Sequence, residues 1–493
     1  MRNRSLQILP WISVIILLAA VLLTVVQLIR YSRIRASFTP GTKIAGIPVG
    51  GLTRVQAADR LVQAYNLPIE IHYGDAIIQA KPASLGFDMD LEVMLAAADQ
   101  QRVELPFWQS FWDYLWNRLP AAAEVPLSVT ITEERLKTYL QSEIASRYDQ
   151  PAEAAQPIPG TPNFEPGKPG TSLDIERAVI LVEDALRSPT ARVVNLTYNR
   201  TETVRPSLQN LQVLLQQVID AQEFDGVTEV YLLDLQSYQE LNFAYTQGEA
   251  IPSDVAFTAA STMKIPILVS VFRRLNEPTP ADALTMIEQM IVRSENDPAD
   301  RLMETYLDTN LGPLQVTDDM QALGLDNTFL AGYFYPGAPL LRRFDTTANL
   351  RTDVSTSPDA YNQTTPAEMG ALLTDIYQCA QSGGGSLAAV FPGEISQAEC
   401  RTMIGYLAQN RIGVLIQAGL PEGTQLAHKH GWITESDGVI HTISDAGIVY
   451  TPSGNYVLVI SIYRTQQLIW DDANELFAGL SQGIYNYFNL SGQ

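Results

Sequence analysis

The chain has 493 residues, which is enough for two or three domains that each bury a core. Its 46% hydrophobic and 17% charged content is ordinary for a folded protein. The formal net charge of −22 excludes nucleic acid as an expected partner, because binding phosphates requires a basic face.

The chain starts with an uncharged apolar run, Ile8–Ile29, that is long enough to cross a bilayer. Arginines flank the run on both sides, so their balance does not set its orientation. A cleaved signal peptide would have a shorter apolar core and a small-residue cleavage site, which we do not find before Ser37. We therefore predict an uncleaved anchor in a region 1–35, with the bulk of the chain outside the cytoplasm because of the chemistry described below.

The region 36–204 is predicted to form small α+β units followed by a loop-rich stretch. Its Pro- and Gly-rich part, Pro151–Gly170, is predicted to be mostly loop. The other predicted elements are a strand at Ile44–Val49, a helix at Val55–Tyr65, a hairpin of Ile69–His72 with Ala76–Lys81, helices at Leu91–Asp99, Glu133–Tyr148 and Asp174–Leu186, and strands at Leu127–Ile131 and Val193–Tyr198.

Two segments of this region, Gly46–Leu61 (GIPVGGLTRVQAADRL) and Pro166–Leu186, carry a resemblance to known modules. They resemble peptidoglycan-binding modules that precede some cell-wall transpeptidases and occur in vancomycin-resistance W-type proteins. The resemblance implies peptidoglycan as a partner. A rigid stalk that lifts the next domain off the membrane is the alternative interpretation.

The region 205–493 is predicted to be one α+β domain. Strands come from both of its ends and helices lie between them, which predicts an antiparallel sheet with helices packed against it. The predicted elements are helices at Leu208–Gln222, Ala283–Val292, Pro298–Tyr306 and Asp471–Asn489, and strands at Glu229–Leu233, Leu241–Tyr245, Leu426–Ile433, Ile440–Tyr450 and Tyr456–Tyr463. The two cysteines, Cys379 and Cys400, are either buried thiols or a disulfide between successive helices.

The first chemical motif is Ser261-Thr262-Met263-Lys264, at the start of the apolar helix STMKIPILVSVF. Three residues along a helix place Lys264 one turn from Ser261 on the same face. A serine hydroxyl needs a base to become a nucleophile, and a lysine amine can be that base when its pKa is lowered. The motif by itself is weak, because a helix start with an exposed lysine gives the same pattern.

Two further motifs lie downstream in the same region. Ser294-Glu295-Asn296 falls in a break between helices, where a hydroxyl can pass a proton and an amide can hold a substrate carbonyl. Lys429-His430-Gly431-Trp432 lies on a strand, where the lysine adds a cation that can attract a carboxylate and Gly431 lets a substrate backbone approach. The backbone N–H groups of Ser261 and Trp432 can form an oxyanion hole. His428 and His430 alternate on this strand, but with no third ligand in view we predict no metal site.

Together these motifs resemble the S-x-x-K, S-D-N and K-T-G elements of class A β-lactamases and penicillin-binding proteins. The resemblance extends over Leu208–Leu490 and includes TTPAEM after a long loop, Tyr333–Thr365. It implies a β-lactamase/transpeptidase-like fold with a helical subdomain. It also implies that Ser261 is acylated, Lys264 is its base, Ser294 shuttles a proton, Asn296 orients substrate and Lys429 binds its carboxylate. The implied chemistry requires no cofactor.

The sequence departs from the class A pattern in three ways. No glutamate lies between Glu304 and Glu368, and the position expected to carry the deacylating glutamate falls near Asn349. Asp345 and Asp353 are the candidates for a substitute base, but the sequence places neither of them in the site. The span from Lys264 to Ser294 is about half of the usual one, which predicts a more open site. His430 replaces a threonine, and Trp432 puts a large ring where small residues usually lie, which predicts that this ring narrows one side of the site and offers an apolar or stacking surface to the substrate.

We therefore predict a membrane-anchored serine hydrolase or acyltransferase that acts on β-lactams or peptidoglycan peptides. The missing glutamate leaves both a true β-lactamase and a slow penicillin binder open. The alternative is a weak or inactive cell-wall-binding protein with a relict site, and hydrolysis of other esters is a third possibility.

Overall fold

The structure, a computed structural model, describes residues 9–118, 121–201, 204–410 and 412–490. The chain divides into two compact units: unit 1 is Met1–Ala152 with Pro169–Glu202, and unit 2 is Glu153–Lys168 with Thr203–Gln493. The predicted boundary between 204 and 205 stays a prediction. The segment Glu153–Lys168, which the sequence places in the front region, belongs to unit 2.

A long apolar helix, Leu9–Arg35, begins the described chain. Within Trp11–Arg35 the most apolar stretch has a mean hydropathy of 2.9 and is exposed, so the helix is long and apolar enough to cross a membrane. Its position near the N-terminus fits a membrane anchor or a signal sequence. Ile8, the first residue of the predicted span, lies outside the described residues.

Unit 1 is an α+β unit with one hydrophobic core. The predicted hairpin is present as Ile69–Tyr73 with Ala76–Ala80, and Val193–Asn195 pairs in parallel with its first strand. The predicted helix over Glu133–Tyr148 is also present, with a π-helical turn at Leu140–Ala145. The remaining elements are helices Arg54–Tyr65, Leu91–Val103, Phe107–Leu115 and Ile175–Arg187, a 3₁₀ turn Pro82–Leu85, and strands Lys43–Ile44, Ile47–Pro48, Phe87–Met89, Glu124–Val125, Val129–Ile131, Gly170–Leu173 and Tyr198–Thr201.

The core of unit 2 is a six-stranded sheet in which each strand pairs antiparallel with its neighbours, as the sequence predicts. In spatial order its strands are Glu249–Ile251, Glu240–Thr246, Val227–Asp234, Tyr456–Tyr463, Ile440–Tyr450 and Gln425–Thr434. Side chains alternate between its two faces: Tyr231 and Leu233 enter one hydrophobic cluster, and Val230 and Leu232 enter the other. The last strand in this order, Gln425–Thr434, is an edge strand.

Helices cover both faces of this sheet. Leu208–Ala221 and Trp470–Phe488 pack on one face. The other face carries helices Lys264–Phe272, Ala281–Ile291, Asn296–Tyr306, Gly312–Ala322, Pro366–Ser382, Ser386–Val390 and Gln397–Leu407. Smaller elements are the 3₁₀ turns Ala260–Met263 and Leu415–Gly419, a small sheet of Phe257–Thr258, Asn362–Thr364 and Phe329–Leu330, and the pair Gln156–Pro157 with Phe164–Glu165. The helix-rich face carries the chemical motifs.

A disulfide joins two helices on this face. Cys379 in Pro366–Ser382 and Cys400 in Gln397–Leu407 are bonded, with their Cα atoms 5.9 Å apart. The sequence left this choice open, because it does not show whether two helices present their cysteines to each other.

Removing the disulfide should destabilise unit 2. We expect the double variant Cys379→Ala/Cys400→Ala to lower the free energy of unfolding by about 2–4 kcal/mol, because the cross-link restricts the unfolded chain. Urea denaturation of the full chain in detergent measures this change. Thiol titration of the denatured, unreduced protein checks the premise, and two reactive thiols would contradict it.

Candidate active site

The nucleophile candidate Ser261 lies in a tight turn at the start of a fully buried helix. The turn Ala260–Met263 is 3₁₀, and every residue of the helix Lys264–Phe272 is buried. Ala260 has φ +46°, and its N–H donates to Oδ1 of Asn362 at 2.7 Å. The buried apolar helix and this hydrogen bond fix the turn, while Ser261 itself is only half-buried.

Lys264 is held next to Ser261 by a set of three acceptors. Its Nζ donates to Ser261 Oγ at 3.0 Å, to the Ser294 carbonyl oxygen at 2.6 Å and to Asn296 Oδ1 at 2.8 Å. The side chain is fully buried, and this burial lowers the pKa of Lys264 to about 7, although Asp300 and Glu295 oppose the shift. A substantial fraction of the amine is therefore neutral near pH 7 and able to accept the Ser261 proton.

Ser294 adopts a backbone conformation that brings two of its oxygens to the lysines. Its φ of +59° is in the left-handed region, which non-glycine residues rarely occupy. Glu295, and not Ser294, is the N-cap residue of the helix Asn296–Tyr306. Ser294 Oγ lies 3.4 Å from Lys264 Nζ and accepts from Lys429 Nζ at 2.8 Å. The unusual backbone conformation thus occurs where the two lysine amines meet.

Lys429 completes a continuous chain of polar contacts. Besides Ser294 Oγ, its Nζ donates to the His430 carbonyl oxygen at 3.0 Å. The side chain is fully buried, and burial followed by repulsion from Lys264 lowers the pKa of Lys429 to about 7. Five predicted residues therefore meet in one cluster: Ser261, Lys264, Ser294, Asn296 and Lys429.

Gly431 lies directly against the nucleophile turn. A Cβ at this position would be 2.7 Å from the Ala259 carbonyl oxygen, 2.9 Å from Thr262 N and 3.0 Å from Ser261 N. The sequence predicted a substrate backbone in this space, but the protein's own turn occupies it. A glycine is needed here so that the edge strand can pack against the turn.

We expect Gly431→Ala to lower the acylation rate about 10²-fold, because the added methyl group must displace the strand from Ser261. Stopped-flow acylation by a fluorescent penicillin measures the effect. Gly405→Ala is the matched control, since Gly405 is helical and has open space around its Cβ position. Equal losses in both variants would contradict the assignment.

The side chains of His428, His430 and Trp432 lie on the opposite face of the strand from Lys429. The ring centroid of Trp432 lies 4.6 Å from that of His430, on which it stacks, and 4.7 Å from that of Trp470, which it contacts edge-on. Trp432 and Trp470 pack against the hydrophobic cluster on the sheet face that carries Leu208–Ala221 and Trp470–Phe488. The prediction that this ring lines the site is therefore wrong, because successive strand residues point to opposite faces. Only the backbone of Trp432 is adjacent to the site.

The two histidines belong to a buried polar network. His428 Nδ1 contacts Asp445 Oδ1 at 2.8 Å, and its Nε2 contacts the Asn410 carbonyl oxygen at 2.8 Å. His430 Nδ1 contacts the Asn410 side chain at 3.2 Å, and burial lowers the pKa of His430 to about 3. Within residues 9–118, 121–201, 204–410 and 412–490, no group of three or more His, Cys, Asp or Glu side chains could hold a metal ion.

Three residues that support the site were not predicted from the sequence. Asn362 holds the nucleophile turn as described above. Asp300 Oδ1 accepts from the Phe334 N–H at 2.8 Å, and burial raises the pKa of Asp300 to about 6. The centroid of the Phe334 ring lies 5.6 Å from Lys264 Nζ. The only sequence signal for Asn362 and Phe334 was their position at the two ends of the long loop.

The long loop has no helix or strand between residues 331 and 361, as predicted. Its polar side chains form hydrogen bonds and ion pairs within the protein. Asn349 donates to the Phe344 carbonyl oxygen and to Gln363 Oε1, both at 3.0 Å.

Asp353, considered as a substitute base, pairs with Arg351 at 2.6 Å. Glu368, just beyond the loop, accepts from the Asn327 N–H and the Thr328 hydroxyl at 2.8 and 2.7 Å. Each of these side chains therefore has a structural partner.

The lowered lysine pKa values predict a pH profile for acylation. We expect the rate to fall about two orders of magnitude from pH 8 to pH 5, because protonation below the pKa of about 7 removes the base. The apparent pKa belongs to the Lys264 and Lys429 pair, since the two amines repel. Single-turnover kinetics with a fluorescent penicillin measures the profile, and a rate independent of pH between 5 and 8 would contradict it.

Comparison with known proteins places the C-terminal unit in a known class. A family model described as the beta-lactamase enzyme family matches residues 277–488. The matched segment contains Ser294, Asn296 and Lys429 and begins after Ser261 and Lys264. A search of curated proteins finds no match to the chain.

Among solved structures, PBP-A is similar at 22% identity, covering 58% of this chain and 100% of its own, with a TM-score of 0.42. The TLA-3 extended-spectrum β-lactamase is 16% identical, with 57% and 99% covered and a TM-score of 0.43. A class A β-lactamase from Bacteroides cellulosilyticus is 16% identical, with 57% and 98% covered and a TM-score of 0.41.

Residues 277–488 of unit 2 thus match a β-lactamase family model, and unit 2 has the β-lactamase fold of a serine hydrolase. The chain as a whole combines this domain with an α+β unit and an N-terminal apolar helix that is long enough to cross a membrane.

Proposed function

We propose that the chain is a membrane-anchored, extracytoplasmic serine hydrolase or acyltransferase that forms an acyl-enzyme at Ser261 with β-lactams or peptidoglycan peptides. The observation that carries the proposal is the 3.0 Å contact between Ser261 Oγ and the fully buried amine of Lys264. A serine beside an amine with a lowered pKa is an activated nucleophile. The disulfide supports an oxidising location outside the cytoplasm.

The acylation step follows from these contacts. Lys264 takes the hydroxyl proton as Ser261 Oγ bonds to the carbonyl carbon of the substrate amide. The backbone N–H groups of Ser261 and Trp432 stabilise the resulting oxyanion. The C–N bond then breaks, and the leaving nitrogen receives a proton from Lys264 through the Ser294 hydroxyl. When it is protonated, Lys429 supplies the positive charge for a substrate carboxylate, and the free amide N–H₂ of Asn296 orients the acyl side chain.

Deacylation is proposed to be slow. A water needs a base to attack the ester, and an amide such as that of Asn349 is not one. The two neighbouring carboxylates considered above, Asp353 and Glu368, are held by Arg351 and by Asn327 with Thr328. The acyl-enzyme should therefore accumulate.

Intact mass measurement after incubation with a penicillin tests the proposal. A persistent one-to-one adduct is expected. Consumption of the penicillin without an adduct would indicate fast turnover, as in a β-lactamase. No adduct with the penicillin unconsumed would favour the alternative, a cell-wall-binding protein with a relict site.

The location and the role of unit 1 need separate tests. We propose that the apolar helix remains as an anchor and that unit 1 serves as a stalk. Protease added to intact cells should digest both units, and protection of both would contradict the extracytoplasmic placement. Retention of the full chain on purified sacculi, above that of a control membrane protein, would show that unit 1 or unit 2 also binds peptidoglycan.

A further inference from the structure

A short helix of unit 1, Phe107–Leu115, has aromatic residues on two opposite faces. On its inner face Phe107, Phe111 and Tyr114 surround Tyr31, with ring centroids 5.4, 5.4 and 5.2 Å from that of Tyr31. Tyr31 belongs to the apolar helix Leu9–Arg35 and is buried by these contacts. The inner face therefore fastens the short helix, which we call the aromatic helix, to the apolar helix.

The outer face of the aromatic helix is a stripe of exposed tryptophans. Trp108, Trp112 and Trp116 follow one another at intervals of one helical turn and are 70%, 61% and 63% exposed. Leu105 and Leu115 extend the stripe and are also exposed. A contiguous apolar surface of this kind indicates a binding surface, because leaving it in water is unfavourable.

The attachment point sets the level of this stripe relative to a bilayer. A helix rises about 1.5 Å per residue, so Trp11 and Tyr31 lie about 30 Å apart along the apolar helix. This distance equals the thickness of the hydrocarbon core of a typical bilayer. Trp11 is 71% exposed, so tryptophans are present at both ends of the span. Tryptophan prefers these two levels, where its ring meets the headgroup region.

Polar contacts hold the aromatic helix in this position. Arg35 donates to the Leu105 carbonyl oxygen at 3.1 Å, and its guanidinium carbon lies 5.1 Å from the centre of the Phe107 ring. On the other side, the Tyr114 hydroxyl donates to Gln27 Oε1 at 3.2 Å. The aromatic helix thus contacts the apolar helix over its last turns, from Gln27 to Arg35.

We propose that the aromatic helix lies in the lipid–water interface, with Trp108, Trp112 and Trp116 among the phospholipid headgroups. This inference rests on the proposed anchor role of the apolar helix. It adds a second, peripheral attachment beside the span, which would restrict rotation of unit 1 about the axis of the anchor.

Depth-dependent quenching of tryptophan fluorescence tests this placement in the full chain. The protein is reconstituted into phosphatidylcholine vesicles with lipids brominated near the headgroup or near the end of the acyl chain. Trp11→Phe reports on the aromatic helix, and the triple variant Trp108→Phe/Trp112→Phe/Trp116→Phe reports on the span. A variant with all four changes gives the background from the two tryptophans of unit 2.

We expect the brominated lipids to quench the fluorescence of Trp11→Phe beyond this background. The shallow bromines should quench it more than the deep ones. Quenching of the triple variant alone would overturn the proposal while leaving the anchor intact. Stronger quenching by the deep bromines would also overturn the interfacial placement. Quenching of neither variant would overturn both the placement and the anchor, and the penicillin adduct would still test the hydrolase site independently.

Discussion

Ser261→Ala is expected to eliminate the penicillin adduct of the full chain and to lower acyl transfer by roughly 10⁴-fold or more. The hydroxyl that Lys264 contacts at 3.0 Å provides the oxygen for the new covalent bond, and alanine has no atom to replace it. Intact mass and gel fluorescence after labelling with a fluorescent penicillin measure the loss. The substitution removes only one half-buried oxygen, so the thermal unfolding midpoint should change little.

A second serine, Ser270 in the helix that follows the Ser261 turn, provides the control for this change. Ser270 is buried, and among the described residues its hydroxyl has no hydrogen-bond partner. Ser270→Ala makes the same chemical change behind the site and should keep the adduct. An adduct that persists in Ser261→Ala at the wild-type rate would show that another residue is acylated.

Lys264→Met is expected to lower the acylation rate by about 10²–10⁴-fold, the usual contribution of a positioned base. Methionine fills most of the buried space but cannot accept the serine proton. It also leaves the Ser294 carbonyl oxygen without the 2.6 Å donor that it has in the wild type. The increase in rate with pH through about 7 should disappear together with the amine.

The loss of pH dependence distinguishes a base from a structural lysine. Lys137→Met is the control, because Lys137 is on the surface of unit 1, where it pairs with Glu133 at 2.7 Å. It should retain both the rate and the pH profile. Wild-type kinetics in Lys264→Met, or a slow variant that keeps the same pH profile, would contradict the role of Lys264 as the base.

The local structure was largely predictable from the sequence. The hairpin at Ile69–Tyr73, the buried helix after Ser261 and the three closing strands all follow from short-range patterns of apolar residues and turns. The order of the three motifs also indicated the β-lactamase fold, because each motif stands on the element that its chemistry requires.

Other features could not be predicted, because they depend on which face of a helix or strand contacts which neighbouring element. The two-residue period of a strand separates Trp432 from Lys429, but it does not say which of the two faces the nucleophile turn. The left-handed backbone of Ser294, the bond from Ala260 to Asn362 and the disulfide each need a partner distant in the chain. The aromatic helix was not predicted, because its inner face is defined by Tyr31 of the apolar helix.

The sequence by itself determined the order of the elements, the apolar span and the residue types that can carry acyl transfer. Only the tertiary structure decided that Ser261, Lys264, Ser294 and Lys429 form one connected cluster and that both lysines are buried. The physical reason is that a pKa depends on solvation and on nearby charges, which are set by segments far apart in the chain. A lysine beside a serine becomes a base only after the rest of the domain has excluded water from it.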